Sequence, residues 1–220
     1  ARQWRLARAP EQVALPDTLH GVIMARIDRL EEDVKQLLKA ASIIGRSFFY
    51  RVLRAIADTG QEIDRNLDEL QQLELIREKR RLPELEYFFK HALVQEATYD
   101  SIVAERRRQL HRRVGECIES LFAERLEDFS GVLAYHYARA EDWPKAQDYL
   151  FKAGDHAGRV AADAEALAHY QEAIRAYERV FGDRWDPLQR AALERKIGEA
   201  LFRRGEHDPA LGWLSRALAR

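Results

Sequence analysis

One spacing recurs three times from Asp128 onward: an alanine, three residues, a large apolar side chain, two residues, and a second alanine. It reads Ala146, Leu150 and Ala153, then Ala166, Tyr170 and Ala173, then Ala210, Leu214 and Ala217. At about 3.6 residues per turn, these three positions fall on one face of a helix. The alanines let a second backbone come close, and the large side chain fills the space between. A face of this kind must be buried against another helix, so this part of the chain can only be a stack of antiparallel helices. Composition supports that constraint throughout the 220 residues, with 11 Gly, 6 Pro, 46% hydrophobic and 33% charged residues, the balance of a mostly helical protein.

The spacing extends into a longer pattern. Counted from Glu127, Leu133 and Ala134 take positions 7 and 8, Tyr137 position 11, and Ala146, Leu150 and Ala153 positions 20, 24 and 27. Counted from Ala191, the same places hold Ile197, Gly198, Leu201, Ala210, Leu214 and Ala217. This is the pattern of a tetratricopeptide repeat, a helix pair of about 34 residues. A helix from Asp163 to about Phe181 repeats the last three places, and Asp186-Pro187 and Asp208-Pro209 read as starts of the final two helices. The five helices form an odd number, which leaves the register of the middle pair open. Such arrays hold a peptide or another domain in a groove and rarely catalyse. In the last pair the partner-facing positions are Ala192, Arg195, Glu199, Phe202 and Arg203, and the spacing puts Arg195, Glu199 and Phe202 on one face.

The first half reads differently. Residues 1–15 are polar, rich in Ala and Arg, and expected to be the tail of a preceding domain. Pro16-Asp17-Thr18 starts a helix carrying Leu19, Val22, Ile23, Ile27 and Leu30. A second carries Val34, Leu37, Leu38, Ala41 and Ile44 and stops at Gly45. Ser47 is expected to cap a third with Phe49, Val52, Leu53 and Ile56, and a fourth runs from about Gln61 to Leu73. The period then shifts to two over Leu75–Arg80 and Glu84–Phe89, which predicts a two-stranded hairpin. Helices resume near His91, and a longer one carries Leu110, Val114, Cys117, Ile118 and Leu121. The expected fold is therefore mainly α: a winged-helix domain over 16–103 with one small β-hairpin, a connecting helix over 104–127, and a repeat array over 128–220.

Several functions are excluded or disfavoured at this level. A lone Cys117 forms no internal disulfide, and no Cys/His cluster has zinc spacing. Seven histidines show no recurrent nucleophile or metal spacing, and there is no glycine-rich phosphate loop. No catalytic residue, metal site or cofactor is expected in this chain. No apolar stretch approaches the ~20 residues of a membrane span. The helix before the hairpin carries Glu62, Asp64, Asp68, Glu69 and Glu74 against Arg65 alone, which repels phosphate. Basic residues do occur on the hairpin (Arg77, Lys79, Arg80, Arg81) and in the exit helix (Arg106, Arg107, Arg108, Arg112, Arg113). A DNA-binding regulator and a plain scaffold are the rival readings, and nucleic acid is not the expected partner.

Certain runs resemble a known family. Leu15-Pro16-Asp17-Thr18-Leu19-His20 with Ala25-Arg26-Ile27-Asp28-Arg29-Leu30, Ala40-Ala41-Ser42-Ile43-Ile44-Gly45-Arg46-Ser47-Phe48, and Phe89-Lys90-His91-Ala92-Leu93 with Glu96-Ala97-Thr98-Tyr99 are similar to the winged helix of STAND-class signal-transduction NTPases. Arg107 with Leu110-His111 fits the same pattern. The likeness is closest to bacterial regulators that join a cyclase or DNA-binding output domain to such an NTPase and then to tetratricopeptide repeats. The resemblance implies a cytoplasmic switch. ATP or ADP would sit on an upstream P-loop domain, and the repeats would sense a protein or peptide partner. A His at the start of the helix after the wing would reach the bound ADP phosphate. Lys90, His91 and Ala92 stand where the family has Met-His-Asp, so only His91 agrees, as the nucleotide-sensing candidate.

Overall fold

The computed structural model describes residues 17–57, 62–182 and 184–220; the expected N-terminal tail lies outside them. The described residues are mainly helical, with a small three-stranded antiparallel sheet. The chain divides between Val103 and Ala104 into two compact units.

The first unit contains helices α1 (Asp17–Ile27), α2 (Glu32–Ile44), α3 (Tyr50–Ile56), α4 (Ile63–Gln72) and α5 (Ala92–Asp100), with strands β1 (Ser47–Phe49), β2 (Ile76–Arg80) and β3 (Glu86–Phe89). Its core joins the inward stripes of α2 (Val34, Leu37, Leu38, Ala41), α3 (Val52, Leu53, Ile56) and α4 (Leu67, Leu70) to Phe48, Ile76 and Phe89 of the sheet. Gly45 ends α2 at φ +143°, and its N–H donates to the Ala41 carbonyl, a backbone geometry that favours glycine. In α1 the apolar pattern is only partly inward: Ile27 is buried, whereas Leu19 and Val22 are exposed.

The sheet corrects two expectations. Ser47 does not cap α3; it opens β1, and α3 begins at Tyr50 after the extended Phe49, with no side-chain cap. The expected hairpin is consequently the larger part of a three-stranded sheet in the order β1-β3-β2, with Phe48 opposite Tyr87 and Ile76 opposite Phe89. A three-residue strand is too short to show a period of two. Its register is fixed instead by Phe48, whose ring packs on Tyr87 and Phe89 at centroid distances of 6.0 and 5.8 Å.

The second unit is a run of helices, α6 (Ala104–Leu121), α7 (Ser130–Arg139), α8 (Trp143–Arg159), α9 (Asp163–Phe181), α10 (Pro187–Arg203) and α11 (His207–Leu218), each packed on the next. A kinked 3₁₀ segment, Ala123–Phe129, separates α6 from α7, so the helix expected to continue toward Arg125 stops at Leu121. Asp142 and Asp186 cap α8 and α10 by accepting from Lys145 N–H and Leu188 N–H, with Pro144 and Pro187 in the first turns. Asp208-Pro209 does not act this way: α11 starts at His207, and Glu206 holds the cap position.

The packing resolves the odd helix count. A β-carbon added to Gly115 of α6 would lie 2.7 Å from Tyr137 Cζ of α7. One on Gly154 of α8 would lie 2.5 Å from Tyr170 Cε1 of α9, and one on Gly198 of α10 would lie 2.7 Å from Leu214 Cγ of α11. Each glycine is therefore a socket for a large side chain of the following helix. Six helices form three pairs: α6 with α7, α8 with α9, α10 with α11. Tyr170 and Leu214 both follow their glycines by 16 residues (170 − 154 and 214 − 198), and the 3₁₀ segment lengthens the first interval to 22 (137 − 115). α6 thus supplies the first socket and is counted with the second unit.

Candidate functional site

Aligning the three pairs on their glycines gives each place in the stack three versions. The place three residues before the glycine holds Arg112, Phe151 and Arg195. The places seven and six before it hold Arg108-Gln109, Gln147-Asp148 and Ala191-Ala192. The places three and four after the socket-filling residue hold Ala140-Glu141, Ala173-Ile174 and Ala217-Leu218.

These positions line a groove in the first pair and in the last. The first, of about 460 Å³, is bounded by Glu105, Arg108, Gln109, Arg112, Ala140 and Glu141. Its charges answer one another: Arg108 pairs with Glu105 and with Glu141 at 3.4 Å, and Arg112 with Asp142 at 3.6 Å. The last, of about 330 Å³, is bounded by Ala191, Ala192, Arg195, Leu214, Ala217 and Leu218. Here five of the six side chains are apolar. In the middle pair the ring of Phe151 leans on Tyr170, with centroids 6.0 Å apart.

Arg195, Glu199 and Phe202, singled out from spacing, do share a face of α10. Arg195 donates to Glu199 one turn on, and Phe202, 59% exposed, packs edge-on against His207. Only Arg195 lines the groove. The spacing argument named Ala192 as well but passed over Ala191, Ala217 and Leu218, because a repeat template marks the partner face of the first helix and treats the second as packing. Alignment on Gly115, Gly154 and Gly198 was the signal that could have found them.

Behind the first groove lies a polar layer that the sequence did not disclose. Glu119 of α6 accepts from Lys145 Nζ and Tyr149 Oη at 2.7 Å each, and Lys145 also donates to Tyr137 Oη at 2.9 Å. Burial pushes the Glu119 carboxyl up, but the hydrogen bonds from Lys145, Tyr137 and Tyr149 together hold it below the usual range. Burial first, and then the Glu119 charge, push the Tyr137 and Tyr149 hydroxyls well above theirs. Nearby, the fully buried His111 and His136 meet Nδ1 to Nδ1 at 2.9 Å. Burial, reinforced by Arg139 and Arg107, lowers His111 to about 4, so it is neutral at pH 7. None of these groups has the exposure or neighbours of a reactive centre. Among the described residues no three His, Cys, Asp or Glu side chains gather to hold a metal ion.

In the first unit, His91 sits at the cap position of α5, exposed and making no side-chain cap bond. Lys90 beside it pairs with Glu74 at 2.7 Å. The basic side chains of the sheet are matched by acids: Arg77 by Glu74, Lys79 and Arg80 by Glu86, and Arg81 by Glu78, all within 3.0 Å. Exposed pairs like these add little stability, but they put a carboxylate beside each cation that a phosphate backbone would need. α4 presents its acids as expected, with Asp64 accepting from Tyr50 Oη at 2.8 Å.

No protein-family model, curated protein or solved structure matches the chain. No helix of the described residues is long and apolar enough to cross a membrane.

Proposed function

We propose that this chain is a regulatory, protein-interaction region rather than an enzyme. The second unit acts as a tetratricopeptide-like array that recognises a protein or peptide partner. The first acts as a winged-helix-like domain that couples this recognition to the nucleotide state of a P-loop domain upstream in the same polypeptide. The observation that carries the reading is the threefold socket: a glycine in the first helix of each pair takes a large side chain from the second. In the last two pairs this happens at the small-to-large interval of a tetratricopeptide repeat. An array locked in this way is stiff, and the side chains it leaves outward are free to vary for recognition.

His91 serves the nucleotide in this scheme. It stands at a helix start, where an anion is favoured, and its imidazole can donate to a phosphate. The basic residues of the first unit are neutralised by neighbouring acids, which favours a protein contact over a nucleic-acid one. The test is nucleotide retention in the native polypeptide. His91→Ala is expected to release bound nucleoside diphosphate while leaving the fold intact. Unchanged retention would remove the coupling and leave a scaffold without a switch.

A further inference from the structure

We infer that the groove between α10 and α11 takes a bulky apolar side chain from a partner peptide, with a carboxylate next to it bound by Arg195. The inference rests on the reading of the second unit as a partner-binding array and names the chemistry of what it binds.

The argument is a comparison among equivalent places. In the middle pair, the position three residues before the socket glycine is Phe151, and its ring covers the socket residue Tyr170. In the last pair the same position is Arg195. Its guanidinium turns along the helix to Glu199, and its side chain stays 53% exposed. Nothing of the last pair therefore does for Leu214 what Phe151 does for Tyr170. The residues alongside widen the opening, since Ala191 and Ala192 stand where the first pair has Arg108 and Gln109. Leu218, 90% exposed, stands in place of Glu141. The result is an apolar groove of about 330 Å³, at the small end of the range for ligand sites and large enough for one aromatic or branched side chain.

The middle pair shows what fills such a place, a ring. The rim shows what should lie beside it. Arg195 is the single charged residue lining the groove, and a guanidinium has five N–H donors, more than Glu199 alone can satisfy. A partner carboxylate can share it, so the matching ligand is an aromatic or large aliphatic residue next to Asp or Glu. The first groove, similar in position and larger in volume, would reject the same ligand. Its walls are Arg–Glu pairs that an apolar group would strip of water without replacing their bonds.

The probe is a displayed library of random short peptides, selected on the chain and then measured against three variants. Ala191→Arg with Leu218→Glu installs the side chains of the first groove. Ala192→Gln narrows the opening by one residue only and serves if the double variant misfolds. Arg195→Gln removes the charge. The expected result is enrichment of peptides with a bulky apolar residue beside an acid. Their affinity should fall on the order of tenfold or more with either groove-filling variant, and Arg195→Gln should erase the preference for the acid. Peptides that enrich but bind the groove-filling variants equally well would overturn the groove while leaving the array a partner-binding surface. Failure of any peptide to enrich would count against both readings. Self-association abolished by A191R/L218E, without peptide binding, would make a second copy the occupant and overturn the proposal.

Discussion

The first and last helix pairs of the second unit are built alike and finished differently. Both set a large side chain into a glycine socket, Tyr137 on Gly115 and Leu214 on Gly198. Around the first socket the chain adds a buried His111–His136 contact, a carboxylate held by Lys145 and Tyr149, and a rim of ion pairs. Around the last it adds alanines, leucines and one arginine. The difference teaches that the socket supplies the architecture while the residues beside it decide whether a pair is closed on itself or open to something else. In the first pair the polar groups are mutually satisfied. In the last, apolar surface is left facing outward.

Acid should separate the two pairs most strongly. His111 is held at about 4 against an ordinary 6.5, so between those values the unfolded chain takes up a proton that the folded chain refuses. Stability from this group is complete above about pH 6.5 and is lost as the pH falls toward 4, by up to about 3 kcal/mol. The last pair has no buried histidine among the described residues, since His207 is exposed. Amide exchange at pH 5 should therefore rise in α6 and α7 before α10 and α11. Uniform acceleration across the unit would break the comparison.

Filling the sockets should come next. Gly→Ala in a helix gains up to about 1 kcal/mol in propensity, while overpacking costs about 1–3 kcal/mol. At Gly115 and Gly154 the opposing atoms are tyrosine rings, and both hydroxyls are hydrogen-bonded, Tyr137 from Lys145 and Tyr170 to Asp155. Neither ring can move aside cheaply, so G115A and G154A should each lose about 1 kcal/mol or more in thermal denaturation. At Gly198 the opposing atom belongs to a half-buried leucine that can change rotamer, so G198A should come out near zero. Equal losses at all three would show that the last socket is as closed as the first.

Glu119→Gln is the milder probe of the first pair's polar layer. It keeps an acceptor for Tyr149 but removes the charge that Lys145 faces, so a loss of about 1 kcal/mol is expected. The same loss in urea denaturation at pH 7 and at high salt would show that hydrogen bonding outweighs the charge there. Smallest of all should be Leu218→Ser, which removes a side chain already in water and should leave the melting temperature unchanged while weakening peptide binding.

Much of this was legible in the sequence, and the gaps have physical causes. The inward stripes of α2 and α4 follow from period alone, because Val34, Leu37, Leu38, Ile63, Leu67 and Leu70 have no other way to be buried. The alanine and large-residue spacings were equally readable and gave the helices of the second unit. β1 was not, since three residues between two helices carry no period and Ser47 looks like a cap until Phe48 is seen against Tyr87. The pairing of helices was hidden because glycines in helices read as weak points rather than sockets. The 3₁₀ segment also stretches the first interval past the repeat length. Arg195 was found on a face, but the groove it borders depends on α11 residues that only packing brings beside it.

The central claim is that the last pair offers an apolar place that the first pair lacks. Methyl NMR during titration with 3-phenylpropionate, a ring beside a carboxylate, tests it most directly. Saturable shifts should appear at Leu214, Leu218 and Ala217 with an affinity in the millimolar range, and Ala140 in the first groove should stay still. Absence of saturation, or equal movement at Ala140 and Ala217, would contradict the account.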